Sequence, residues 1–208
     1  MSEPKCPARG DYIVMQNVVL TPLHMRSVWH YRHRVDDTVS PPYEAFWDSG
    51  GINVGYSYAT AKSFFGDGFS NWVKHTGLHF DTSAFEHWTI RSAVLKLRVD
   101  LSNVGTDRHE DHTTSCVTRV EEAREYWWDH PNAKAMIQTV PGAENRGVQN
   151  GPDLVLDVTS IVRGWAQFPD RNFGLVLGND KTGVDVFLDE ACLTQYVPTS
   201  ARLEVDFY

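Results

Sequence analysis

Apolar residues recur at every second position through several short stretches of the chain. In SAVLKLRVDL the residues Leu95, Leu97, Val99 and Leu101 keep a strict period of two. RLEVDF repeats the pattern with Leu203, Val205 and Phe207. Such alternation marks an antiparallel strand with one face on a core and the other in solvent. The same reading predicts strands over 11–20, 52–59, 72–81, 90–101, 115–122, 153–158, 173–179, 184–190 and 201–207. Turn signals separate them, among them DSGG, GDG, PGAENRG, NGPD and GNDKTG. FGLVLGN is apolar at both parities, which predicts a central strand.

One stretch breaks the period. LDVTSIVRGWAQ switches to helical spacing at Ile161, Val162 and Trp165, predicting a short helix near 159–166 with Thr159 as a candidate N-cap. Asp157 is a second acceptor for the exposed N–H groups of that turn. A helix of this length is unstable alone and must be held by burying Trp165 and Ile161. RVEEAREYWWDH (119–130) admits an amphipathic helix, but a strand running into a loop is the favoured reading. An α/β fold would need helical stretches of about 10–15 residues between strands, and they are missing. The expected fold is therefore all-β: a two-sheet antiparallel β-sandwich of jelly-roll type with one short helix. Residues 1–208 read as a single domain, with 1–50 an N-terminal strand and long loop region and 51–208 the jelly-roll core. The connections near 21–50, 102–114 and 129–152 exceed usual loop lengths and are the expected binding surfaces.

Composition narrows the function classes. A chain of 208 residues with 41% hydrophobic and 22% charged residues is ordinary for a globular protein. Its net charge of −8 argues against nucleic acid as a partner, because most of the surface would repel a phosphate backbone. The basic, histidine-rich run TPLHMRSVWHYRHRVDD reads as a solvated loop or edge strand. No apolar run is long enough for a membrane span. MSEPKCPARGDY lacks the apolar core of a signal peptide. Cys6, Cys116 and Cys192 have no metal spacing and read as free thiols.

Four segments together resemble the DNRLRE-type jelly-roll domains and related carbohydrate-binding modules. They are HTGLHFDTSAF (75–85), TIRSAVLKLRV (89–99), LDVTSIVRGWAQFPDRNFGLVL with its Asp-Val-Thr, helical-turn Trp and Asn-x-Gly, and the closing PTSARLEVDFY (198–208). Their order and spacing fit that family over residues 51–208. The resemblance implies a jelly roll that binds polysaccharide, and it allows a structural Ca2+.

Candidate chemistry is sparse. In TDRHEDHTTSC, Asp107, Glu110 and Asp111, with His109 and His112, are the candidate metal ligands, although an acidic surface loop has the same composition. No G-x-S-x-G or H-E-x-x-H motif occurs, and no cysteine has a nucleophile setting, so an enzyme is not expected. His75 and His79 share one face of a strand, with Gly77 between them leaving a gap. Aromatic residues are plentiful. Tyr126, Trp127 and Trp128 in EYWWDHP, and Trp47 in YEAFWDSGG, are the candidate glycan-stacking residues, unless they plug the sandwich or form a subunit contact. Arg9-Gly10-Asp11 matches an adhesion tripeptide that arises easily by chance.

The expected function is a non-catalytic module recognising polysaccharide or surface glycan. The alternative is a structural or decorating subunit of a virion, tail or contractile injection-type particle, with neighbouring subunits as partners. Either reading places the protein outside the cell or on a particle surface rather than in cytoplasmic metabolism.

Overall fold

The computed structural model describes residues 14–35, 43–63, 66–101, 117–131, 145–146, 148–150, 153–179 and 192–208. Two antiparallel sheets face each other, and thirteen strands are resolved among the described residues. The first sheet has the order β1 (Gln16–Leu20), β13 (Arg202–Phe207), β6 (Ile90–Arg98), β10 (Asp153–Asp157), β9 (Val148–Asn150). The second runs β12 (Cys192–Tyr196), β4 (Ile52–Ser63), β5 (Gly66–His79), β11 (Leu175–Asn179), β7 (Thr118–Glu122), β8 (Asn145–Arg146). β2 (His24–Val35) pairs with β5 and with β3 (Tyr43–Ser49). The predicted all-β, two-sheet sandwich is the observed architecture.

Alternation explains the core. Ala93, Leu95 and Leu97 of β6 and Leu203, Val205 and Phe207 of β13 point inward to meet Leu78, Val120, Leu175 and Leu177 of the opposing sheet. The period ends one residue pair earlier than its sequence suggests. β6 stops at Arg98, Val99 makes only a single bridge to Tyr196, and Leu101 is exposed. β11 lies between β5 and β7, central as its apolar run predicts. The strand expected at 184–190 and the connection at 102–114 lie outside the described residues.

The single α-helix among the described residues, α1 (Thr159–Gln167), buries Ile161, Val162, Trp165 and Ala166. Trp165 donates from Nε1 to Glu122 Oε1 at 2.8 Å, so its one polar atom is satisfied beside β7. Thr159 is not the N-cap. It is the first helical residue, and its hydroxyl accepts from the Ala93 N–H at 2.9 Å, stitching the helix to β6. Asp157 takes up the helix start instead, accepting from the Thr159 N–H at 2.9 Å. Hydrogen bonding from the Thr159 hydroxyl, and then from its N–H, holds the Asp157 carboxyl below its ordinary pKa.

The largest departure from expectation is at 21–50. This segment carries β2 and β3, a hairpin in continuous register from Ser27↔Ser49 to His33↔Tyr43. β2 is also paired with β5 from His24↔His79 to Val35↔Gly68. Since β2 occupies one edge of β5 throughout, the other edge is shared: β11 takes residues 76–78 and β4 takes residues 66–74. With 14 residues, β5 spans about 48 Å, far longer than the strands of the first sheet. The order β3-β2-β5-β4 thus extends the sandwich into a long four-stranded arm. Ring contacts line it: His30 on Phe46 at 4.4 Å, Tyr31 on Trp72 at 5.3 Å, and the Lys74 ammonium over Trp29 at 3.8 Å.

Candidate functional site

Neighbouring residues of β5 point to opposite sides, so Leu78 enters the inter-sheet core while Gly77 faces outward. On that outer face a second, smaller apolar cluster forms from Val28, Ala123, Trp127 and Val176, with Phe46, Trp128 and Phe173 packed around it. Trp127 is its centre. The indole is fully buried, its Nε1 donates to the Phe173 carbonyl at 2.6 Å, and its six-membered ring lies over Gly77. A Cβ at position 77 would stand 2.7 Å from that ring. The gap at Gly77 is therefore a socket for Trp127 and not a shallow site. Trp127, a glycan-platform candidate on sequence grounds, cannot offer a face to any ligand, because burial consumes both.

Its neighbour differs. Trp128 is half-buried and stacks on His79 at 4.0 Å and on His24 at 5.1 Å. Tyr126 meets it edge-on at 4.3 Å, is 40% exposed, and donates its hydroxyl to Asp129 Oδ2 at 2.6 Å. Adjacent residues thus divide the work, one anchoring inward and one presented outward. Trp47 lies on β3 opposite Trp29, but its side chain is outside the described residues.

Arg26 clips this segment to the sheet. Its Nε and Nη2 donate to the Asp48 carboxylate at 2.6 and 3.3 Å. Its Nη1 donates to the carbonyls of Trp127 and His130 at 2.9 and 2.7 Å. Beside the clip is a shallow groove of about 510 Å³, bordered by Asp48, Gly50, Gly51, Trp128, Asp129 and His130. It therefore combines a half-exposed indole, two carboxylates and an imidazole in one open depression. The basic run read from sequence as a solvated loop or edge strand supplies the clip and the floor of this site, as β2. The signal that could have found it is the recurrence of Met25, Trp29 and Tyr31 at odd positions, with Arg26, His30 and Arg32 among the intervening residues.

The histidines of β2 and β5 are in two environments. His24 and His79 are a direct cross-strand pair, and burial with the neighbouring His24 lowers the His79 pKa. Hydrogen bonding with the Asn172 backbone and the Asp81 charge oppose that shift. His75, opposite Val28, is fully buried, its Nδ1 has no partner, and burial followed by the nearby His30 pushes its pKa down to about 3. A folded state that refuses a proton which the unfolded chain accepts below pH 6.5 loses stability toward acid. Between pH 7 and 5.5, His75 alone is expected to remove on the order of 1 kcal/mol, with His79 adding in the same direction. Urea unfolding at the two pH values measures this, and His75→Gln should flatten the slope. An unchanged slope would mean that His75 is protonated in the folded protein.

The remaining candidates fall in segments that the structure does not describe. Asp107, Glu110 and Asp111, with His109 and His112, lie outside the described residues, as do Arg9-Gly10-Asp11, Cys6 and Cys116. Among the described residues no group of three or more His, Cys, Asp or Glu side chains could hold a metal ion. No described helix is long and apolar enough to cross a membrane. Searches against protein-family models and curated proteins return no match.

Proposed function

We propose that this chain is a non-catalytic jelly-roll module that takes a polysaccharide or surface glycan in the groove beside Trp128. The observation that carries this is the half-exposed Trp128 at the rim of an open depression, flanked by Asp48 and Asp129, with Tyr126 edge-on against it. An indole offers its apolar face to the C–H side of a sugar ring, while carboxylates and an imidazole pair with ring hydroxyls. A glycan partner exposed at the cell or particle surface suits an open groove of this kind.

Affinity electrophoresis through gels containing neutral and acidic polysaccharides tests it. The wild-type chain should be retarded by at least one polymer. Trp128→Ala should abolish the retardation while shifting stability by less than about 1 kcal/mol, since the ring is only half-buried. Loss of retention accompanied by global unfolding, or no retention by any polymer, would reject the proposal.

One observation favours the second reading, a structural or decorating subunit of a virion, tail or contractile injection-type particle. The four-stranded arm extends beyond the sandwich, and the outer edge of β3 pairs with no strand among the described residues. An open edge is a template for pairing with another chain. Sizing with light scattering separates the two: a defined oligomer without polysaccharide retention supports the subunit.

A further inference from the structure

We infer that the chain carries a second, separate saccharide site, a pocket at Trp88 that receives an uncharged pyranose ring. Its ligand class rests on the glycan-binding reading; its residues do not. The pocket has a volume of about 360 Å³ and is lined by His87, Trp88, Thr89, Ile90, Arg163 and Gln167. It lies where the turn before β6 meets the end of α1, well apart in sequence from the Trp128 segment.

Three independent features converge there. The first is Trp88 itself, which is 43% exposed although tryptophan is highly buried on average. It is nonetheless fixed: its backbone N–H donates to the Phe85 carbonyl at 3.2 Å, and its ring meets Phe207 at 73°. A rigid, half-exposed indole loses little conformational freedom when a ring stacks on it.

The second is the backbone. His87 has φ +64°, and it is the sole non-glycine residue with positive φ among the described residues. Left-handed backbone is costly for a side-chain-bearing residue and gathers at ligand sites, where the surroundings over-determine it. Here the His87 N–H donates to the Ala166 carbonyl at 2.7 Å, so the helix end enforces the conformation. The kink turns the imidazole and the following indole to the same pocket.

The third is the polar lining. Arg163 is held in place by donating Nε to the Ile90 carbonyl at 2.9 Å and Nη2 to the Arg91 carbonyl at 3.1 Å. His87, Thr89 and Gln167 are exposed and add an imidazole, a hydroxyl and an amide, each able to donate and accept. No carboxylate lines the pocket. An indole face beside a hydroxyl, an amide and an imidazole matches the hydroxyls of an uncharged sugar better than a polyanion, for which the already anchored Arg163 is too little.

The test uses the full chain with 15N-labelled tryptophan. Hexamers of β-1,4-linked glucose, β-1,4-linked mannose and galacturonate are titrated while the indole N–H signals are followed. At least one neutral hexamer should move the Trp88 signal, and Trp88→Ala should weaken that binding about tenfold or more. Gln167→Ala should weaken it by a smaller factor. His87→Asn, which tolerates positive φ but lacks the imidazole, should keep the fold and reduce the affinity. Trp128→Ala should leave the Trp88 response in place, so the two sites fail separately. A Trp88 signal unmoved by neutral hexamers at about 10 mM, or moved only by galacturonate, overturns the inference. So does binding that Trp128→Ala removes and Trp88→Ala does not.

Discussion

Gly174→Ala should be among the most damaging single substitutions in this chain, lowering stability by about 3–5 kcal/mol. Two costs add. Gly174 has φ +88°, where a Cβ is disfavoured, and that Cβ would stand 2.5 Å from the Leu78 carbonyl oxygen. The obstacle is the backbone of β5 itself, so no rotamer change relieves it. Asn172 leaves little room for the turn to relax. Its Oδ1 accepts from the Gly174 N–H at 3.2 Å while its Nδ2 donates to Phe80 O and Thr82 Oγ1 at 2.8 and 3.2 Å. A thermal midpoint lower by roughly 10 °C is expected for a chain of this size. A change below about 1 kcal/mol would show that the turn shifts freely and that neither β5 nor Asn172 confines it.

The second large effect is at the Trp127 socket. Trp127→Ala should cost about 3–5 kcal/mol by leaving a cavity over Gly77 and an unpaired Phe173 carbonyl. Gly77→Ala should cost about 1–3 kcal/mol by driving a methyl into the indole. The two losses should not add. Once the ring is gone, the methyl at 77 fills part of the void, so the double variant should be no less stable than Trp127→Ala alone. Denaturant midpoints for the four proteins give the coupling energy directly. Additive losses would mean that the ring and the glycine do not touch.

These two sites also differ in how legible they are from sequence. Asn172-x-Gly174 is visible as a motif, and its chemistry is local: an amide closes a turn that only glycine enters without strain. The strands β6 and β13 are visible because alternation at Leu95, Leu97, Leu203 and Val205 reflects one face on a core. Ile161 and Trp165 announce the helix by the same logic at a different period. EYWWDH is harder. Its two adjacent tryptophans point different ways, but which of them is buried depends on a bare glycine far earlier in the chain. Nothing in the local pattern says that Gly77 is opposite.

The hairpin β2–β3 resembles loop in sequence for a related reason. Its arginines and histidines suggest solvent, yet Arg26 is neutralised by Asp48 and two carbonyls, and the strand's register is set by β5, a distant segment of the chain. Trp88 is silent in the sequence because a single tryptophan before a strand carries no periodic signal. Its exposure and the positive φ of His87 are visible only in three dimensions.

The shared edge of β5 has a mechanical consequence. β2 and β5 remain in register along the whole of β2, 12 residues, from the sandwich to the tip of the arm. A pull along the arm therefore loads those hydrogen bonds together in shear rather than opening them one after another. Tension carried by β2 passes into β5, the strand beside β11, through a register unbroken from His24↔His79 to Val35↔Gly68. A protein built this way behaves as a stiff strut: what grips the arm also holds the sandwich.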